Sequence, residues 1–389
     1  MDPLARKLKR DLTVEEQLAR GPLDLPFLML VVMLTSIGVI MMFSASYAEA
    51  LYELENPTYY FMRQGLFAVA GLVIMYVVSK INYQTLRWLS VLALMGSIFL
   101  LILVKVPGIG DSAGGANRWI RAIGPLPRWQ PSEAAKLGVI LYFSARLSKR
   151  HTEKKRKFDL RKPSGRVLRF LDHIGFLELL PYGAILGVIA LLLLWEPHLS
   201  ATILILAIGA SILFAAGIHL GWFALGGGLM GAALWVVANA TSYMADRLAI
   251  WRDPWSDMQG DGYQIVQSLY AIGSGGLLGL GLGNSRQKFL YLPELQNDYI
   301  FPIICEELGF VGAAMVLVLF ALLIIRGYWL ALHARDRFGA LLAVGVTTQV
   351  AVQVFLNIGV VTNLLPPTGI SLPFFSYGGT ALVIQLVEM

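Results

Sequence analysis

Apolar runs of roughly 20 residues recur along this chain from end to end, each long enough to carry a helix across a ~30 Å hydrocarbon layer. The solvent for most of such a chain is lipid, and each run is read as a spanning helix. The runs fall at 26–44, 61–79, 88–106, 131–147, 179–195, 200–217, 221–240, 300–325, 339–361 and 374–389. They predict an all-α polytopic membrane protein with about ten transmembrane helices. Composition agrees: 57% of the 389 residues are hydrophobic and 14% charged, too little polar surface to cover a soluble particle of this size.

Orientation follows from Lys and Arg, which cytoplasmic segments retain. With a cytoplasmic N-terminus the inner segments hold 21 of the 31 basic residues: five before Pro26, two in 80–87, eleven in 146–169 and three in 326–337. Short connections at 80–87, 196–199 and 218–220 make neighbouring helices antiparallel, so 1–389 reads as one domain. It comprises a cytoplasmic tail at 1–25, a basic cytoplasmic loop at 148–178 and a large extracytoplasmic loop at 241–299, between helices 7 and 8. A second long outer segment lies at 107–130. The first helix is too long for a cleavable signal and is read as retained. The last run has 16 residues, or about 24 Å of helix, short of a full crossing, which leaves open that the natural chain continues.

Several function classes drop out. The single cysteine, Cys305, precludes an intramolecular disulfide, and five scattered histidines give no metal-binding spacing. The net charge of +6 sits mainly in a run beside the membrane, where anionic headgroups explain it better than nucleic acid does. The glycines from Gly273 to Gly283 follow no strand and lack GxxxxGK[ST]. The GxGxxG at Gly226, Gly228 and Gly231 lies inside a predicted span, where small residues serve helix packing.

Ionisable groups in a membrane cost about 2.5–3.5 kcal/mol each at the helix centre on insertion scales, so each calls for a partner or a task. Arg128 to Lys136 opens the fourth helix, with Pro131 suited to its first turn and Glu133 near its positive end. Glu133 and Lys136 share a face below Arg128, predicting a ladder of alternating charge that serves either a capped helix or a ligand. Asp298 stands where the outer loop re-enters the membrane and is either the N-cap of the next helix or a general base. Glu306 and Glu307 lie deeper and are read as holding helices together. Outer polar groups, Arg118, Arg247, Arg252, Gln264, Gln267, Arg286 and Lys288, offer a grip for phosphate or simple solvation. Asp253, Asp257 and Asp261 recur every four residues and read as a solvated face. His198 reads as an incidental exposed histidine, with pH sensing as the alternative.

Together these segments resemble the SEDS (shape, elongation, division and sporulation) family of bacterial cell-wall glycosyltransferases. The resemblance rests on Ala116-Asn117-Arg118-Trp119-Ile120, Gln130-Pro131-Ser132-Glu133-Ala134-Ala135-Lys136, Gly262-Tyr263-Gln264 with Gln267-Ser268, Leu292-Pro293-Glu294, Asp298-Tyr299-Ile300-Phe301, Glu306-Glu307-Leu308-Gly309 and the stretch from Pro366 through Ser376 to Gly379. Gly283 to Lys288 is similar to the FtsW and SpoVE branch more than to the RodA branch. Glu196-Pro197-His198-Leu199-Ser200 departs from the family's usual Pro-Asp-Leu-Gly.

The resemblance implies an inverting peptidoglycan glycosyltransferase in the bacterial cytoplasmic membrane. It would polymerise lipid II, the undecaprenyl-pyrophosphate-linked disaccharide, into glycan strands during division or wall growth. Asp298 is implied as the general base, and Arg128, Glu133, Lys136, Arg118, Lys288, Gln264, Gln267 and Ser376 as substrate-binding residues. A class B penicillin-binding protein, a transpeptidase, is the implied partner, along with membrane lipids. No cofactor is certain; a divalent cation, Mg or Mn, is implicated in the family, and no residue set fixes one. The rival readings are a lipid II flippase, for which internal repeats are expected and none is seen, and a non-enzymatic scaffold for the transpeptidase.

Overall fold

The computed structural model describes residues 23–113, 116–122, 128–150, 175–240, 242–260, 262–289, 291–293 and 295–389. Most of the expected tail at 1–25 and of the basic loop at 148–178 lies outside those residues, as do Asp261 and Glu294. The helices are α1 (Leu25–Leu54), α2 (Tyr59–Ser79), α3 (Gln84–Leu103), α4 (Pro131–Leu147), α5 (Phe176–Trp195), α6 (Leu199–Ala215) and α7 (Leu220–Ala240). They continue with α8 (Ser242–Arg252), α9 (Tyr263–Ser274), α10 (Ile300–Leu332), α11 (Arg337–Val361) and α12 (Gly379–Glu388). Helix forms in each of the ten apolar runs. Of these, α1, α2, α3, α5, α10 and α11 are long and apolar enough to cross a membrane, and α6 and α12 are shorter apolar helices. The chain is a multi-pass membrane protein.

Its surface requires that solvent. Trp88 is 86% exposed on α3, and Met62, Leu66 and Val69 stand bare on α2, an apolar face that water would not tolerate and lipid tails accept. Inside, two packed groups form. One joins α1, α10, α11 and α12; the other joins α3, α4, α5, α6 and α11, so α11 belongs to both.

Local chemistry sets the ends. Asp24 caps α1 by accepting from Phe27 N at 2.9 Å, and its carboxylate is held below the usual range chiefly by Arg326. Asp336 caps α11, accepting from Phe338 N and Gly339 N at 3.1 and 3.3 Å. Asp336 also accepts from Tyr83 and Gln84, while Arg150 and Arg337 both donate to Ala216 O. The connections 80–83, 148–150, 216–219 and 333–336 therefore gather at one end of the bundle.

Three features depart from ten simple spans. The segment predicted as loop at 107–130 contains an antiparallel hairpin, β1 (Gly110–Ala113) and β2 (Ala116–Ile120), extended by a bridge from Ile120 to Trp129. The last helix starts at Gly379 and not at Phe374, because Phe374 takes a left-handed φ of 65° and the chain from 363 to 378 runs as a loop, buried from Leu372 to Ser376. Finally, α10 is broken at Gly309 (φ 68°, ψ −171°). The outer loop repairs the break: Leu280 N and Gly281 N donate to Glu306 O and Glu307 O, while Phe310 N and Val311 N donate to Gly276 O and Leu277 O. A Cβ on Gly279 would sit 2.2 Å from Glu307 O, so the glycine run between α9 and residue 284 exists to bring backbone against backbone within the membrane.

Candidate functional site

At the end of the bundle opposite Asp336, the hairpin, the start of α4, the α5–α6 connection, the loop before α10 and the loop before α12 converge. They enclose a cavity of about 280 Å³ between the two packed groups. Arg118, Glu133, Lys136, Asp298 and Ser376, far apart in sequence, all line it.

Lys136 comes from the first turns of α4 and is 2% exposed; its Nζ lies 2.7 Å from Glu133 Oε2. Pro131 begins that helix and Glu133 faces its positive end. The third rung of the expected ladder is missing. Arg128 turns to the hairpin, 3.7 Å from Asp111, and remains exposed outside the cavity.

Asp298 is not in the capping position. The N-cap of α10 is Tyr299, one residue later. The Asp298 backbone is fixed from the side: Asn357 Nδ2, on α11, donates to Asp298 O at 2.8 Å and to Ile370 O at 2.6 Å. One amide thus ties the segment bearing the carboxylate to the loop across from it. At Gly369, where φ is +65°, a Cβ would lie 3.1 Å from Asp298 Oδ2, so a bare backbone lets the carboxylate approach. One turn before Asn357, Gln353 Nε2 donates to Ser371 O at 3.0 Å. Ser376 braces the same loop by accepting from Leu372 N at 2.7 Å.

Arg118 reaches from β2 to the α5–α6 connection, where it donates to Glu196 O and Pro197 O. Glu196 is buried, and burial pushes its carboxyl up to about 8 against the opposing pull of Lys105 and Arg118. His198 is not the exposed histidine expected: it is buried in the cavity wall, with Nε2 3.4 Å from Gln130 Nε2. Burial, with Arg118 and Lys136 adding to it, lowers its pKa to about 3, so the ring is neutral.

The remaining expected residues lie elsewhere. Lys288 is buried 3.2 Å from Glu307 Oε1 and also donates to Gly283 O. Glu307 further accepts from Ser44 at 2.7 Å, and Glu306 accepts from Ser285 Oγ and from Arg286 N. The Glu306–Glu307 pair thus holds the glycine-rich segment in place, and Lys288 belongs to that clamp. Gln264 donates to Pro293 O at 3.3 Å, and Gln267 sits half-buried on α9; neither lines the cavity. Asp253 and Asp257 accept from nearby backbone N–H groups in a turn. Among the described residues no three His, Cys, Asp or Glu side chains gather to hold a metal ion.

Reading the sequence missed Asn357, Gln353, Gln385 and Ser132 as members of the site. A signal existed for two of them: Gln349, Gln353 and Asn357 recur every four residues along an otherwise apolar helix, a polar stripe that membrane burial makes costly unless used.

Chemically, the cavity brings the Asp298 carboxylate, Arg118 and the Glu133–Lys136 ion pair together at the end of a membrane bundle, beside neutral hydrogen-bonding side chains. Residues 25–389 match the family profile described as "Cell cycle protein", that of FtsW, RodA and SpoVE. A probable peptidoglycan glycosyltransferase FtsW of Geobacter sulfurreducens is 38% identical over 363 residues, 93% of this chain and 92% of that protein. Stage V sporulation protein E of Bacillus subtilis is 39% identical over 367 residues, 94% of each. Among solved structures, a chain of a peptidoglycan synthase complex that coordinates polymerization and crosslinking superposes with a TM-score of 0.71 at 26% identity, covering 94% of this chain and 95% of that one. Thermus thermophilus RodA shares the fold, with a TM-score of 0.64 at 24% identity over 94% and 93% of the two chains.

Proposed function

The chain belongs to the FtsW/RodA/SpoVE family, and on that premise we propose that it is a peptidoglycan glycosyltransferase that polymerises lipid II into glycan strands. The observation that carries the reading is the single cavity that joins Asp298 to Arg118 and the Lys136–Glu133 pair. In the proposed step the Asp298 carboxylate takes the proton of the acceptor sugar hydroxyl as that oxygen bonds to the anomeric carbon. The bond from that carbon to the lipid pyrophosphate breaks with inversion, and the pyrophosphate departs toward cationic side chains. Base catalysis typically contributes about 10²–10⁴-fold. Arg118 and Lys136 stabilise the departing charge, Lys136 from a buried position where exclusion of water strengthens the effect. Glu133 holds the Lys136 ammonium in place.

The protein is proposed to lie in the bacterial cytoplasmic membrane with its N-terminus inside and the cavity facing outward, an orientation supported by Arg87, Arg150, Arg326 and Arg337 at the opposite end. A class B transpeptidase is the proposed partner, consistent with the superposition on a polymerization and crosslinking complex. The test is purified protein with lipid II in detergent. Glycan strands are expected; translocation across vesicles with no polymer would replace this reading with a flippase, and neither activity without the transpeptidase would favour a scaffold.

A further inference from the structure

Four buried polar atoms on cavity-lining residues have no hydrogen-bond partner among the described residues: Ser132 Oγ, His198 Nδ1, Gln353 Oε1 and Gln385 Nε2. All four side chains are neutral or, for His198, held neutral, and each residue is more than nine-tenths buried. Folded proteins rarely leave such groups unpaired, so several around one cavity point to what enters it.

The two glutamines are fixed by opposite ends of their amides. Gln353 spends its Nε2 on Ser371 O and Ser371 Oγ, at 3.0 and 3.2 Å, which leaves its carbonyl oxygen free. Gln385 spends its Oε1 accepting from Phe374 N at 3.4 Å, which leaves its amino group free. The cavity wall therefore holds one unpaired amide acceptor, on α11, and one unpaired amide donor, on α12. An amide ligand is their complement, since its N–H needs the first and its C=O needs the second. The pair does not suit a pyrophosphate, which only accepts and so leaves the Gln353 carbonyl oxygen unpaired.

We propose that Gln353 and Gln385 form a subsite that recognises the acetamido group of a sugar, with the His198 Nδ1–H and Ser132 hydroxyl placed for the ring's hydroxyls. The proposal rests on the glycosyl-transfer reading of the cavity and names the residues that choose the sugar. A site built to bond a polar group discriminates strongly against a ligand lacking it, because its own buried groups then go unpaired.

The test compares kcat/KM for lipid II with that for analogues carrying a hydroxyl in place of one or the other acetamido group. It uses the purified full chain and its Gln353→Leu and Gln385→Leu variants. The wild type should prefer lipid II over one analogue by at least about tenfold, and each variant should lose most of that preference by slowing on lipid II alone. Gln353→Met and Gln385→Met, which keep the side-chain length, replace any leucine variant that fails to fold. A preference unchanged in the variants, an equal slowing on both substrates, or no preference in the wild type overturns the subsite and leaves those atoms to buried water. Failure of the wild type to polymerise lipid II at all would instead overturn the glycosyl-transfer reading.

Discussion

Asn357 gives the sharpest test of how the cavity is assembled. Its amide, 1% exposed, donates to Asp298 O at 2.8 Å and to Ile370 O at 2.6 Å. Asn357→Leu removes both donors at little change in volume and leaves two carbonyls unpaired, at a cost of about 1–3 kcal/mol each if nothing moves. The loops will move, since water or a new partner recovers part of that cost, and the Asp298 carboxylate moves with them. Misplacement of a reacting group by about 1 Å can cost ~10²-fold in rate. The expected result is a 10- to 100-fold fall in kcat for lipid II polymerisation with KM within about threefold, measured alongside thermal unfolding to show that the variant is folded. A folded variant whose kcat stays within about twofold of wild type would refute the idea that this amide sets the carboxylate's position.

Two further outcomes follow from the same geometry. Lys136→Met strands the Glu133 carboxylate, so turnover should fall at least about tenfold, with a stability loss of up to about 3–5 kcal/mol; adding Glu133→Gln should restore stability but not turnover, and restored turnover would remove Lys136 from the chemistry. Glu196, raised from 4.5 to about 8, keeps its proton when folded over a range where the unfolded chain releases it. Its stabilising contribution is complete below pH 4.5 and is lost as pH rises to 8, so Glu196→Gln should match wild type in Tm near pH 4.5 and exceed it increasingly toward pH 8. A Tm difference that does not change with pH would contradict the burial argument.

The helices were legible because lipid makes apolar run length a direct signal, and all ten runs contain helix. The breaks were less so. Nothing local marks Gly309 as the place where α10 opens, since the cause is a segment some thirty residues earlier, from Gly275 to Gly281, that supplies the missing partners. The Arg128–Glu133–Lys136 ladder failed for a similar reason: helical spacing relates Glu133 to Lys136, but Arg128 precedes the helix and its direction is set by Asp111 on the hairpin. Lys288 looked like an outer phosphate ligand because sequence could not show Glu307 folding back beneath it. His198 looked exposed for want of knowing that Arg118 draws its loop against the cavity. Asp298 was identifiable from its place at the loop's return to the membrane, whereas its braces, Asn357 and Gly369, come from elements about sixty and seventy residues later in the chain.

The most direct measurement is the lipid II polymerisation rate of purified Asp298→Asn, with folding and lipid II binding measured on the same preparation. If this carboxylate removes the proton from the attacking hydroxyl, turnover falls by about 10²–10⁴-fold while binding and unfolding temperature stay close to wild type. Strands made at the wild-type rate by the folded variant would show that the proton leaves by another route and that the cavity was wrongly assigned its base.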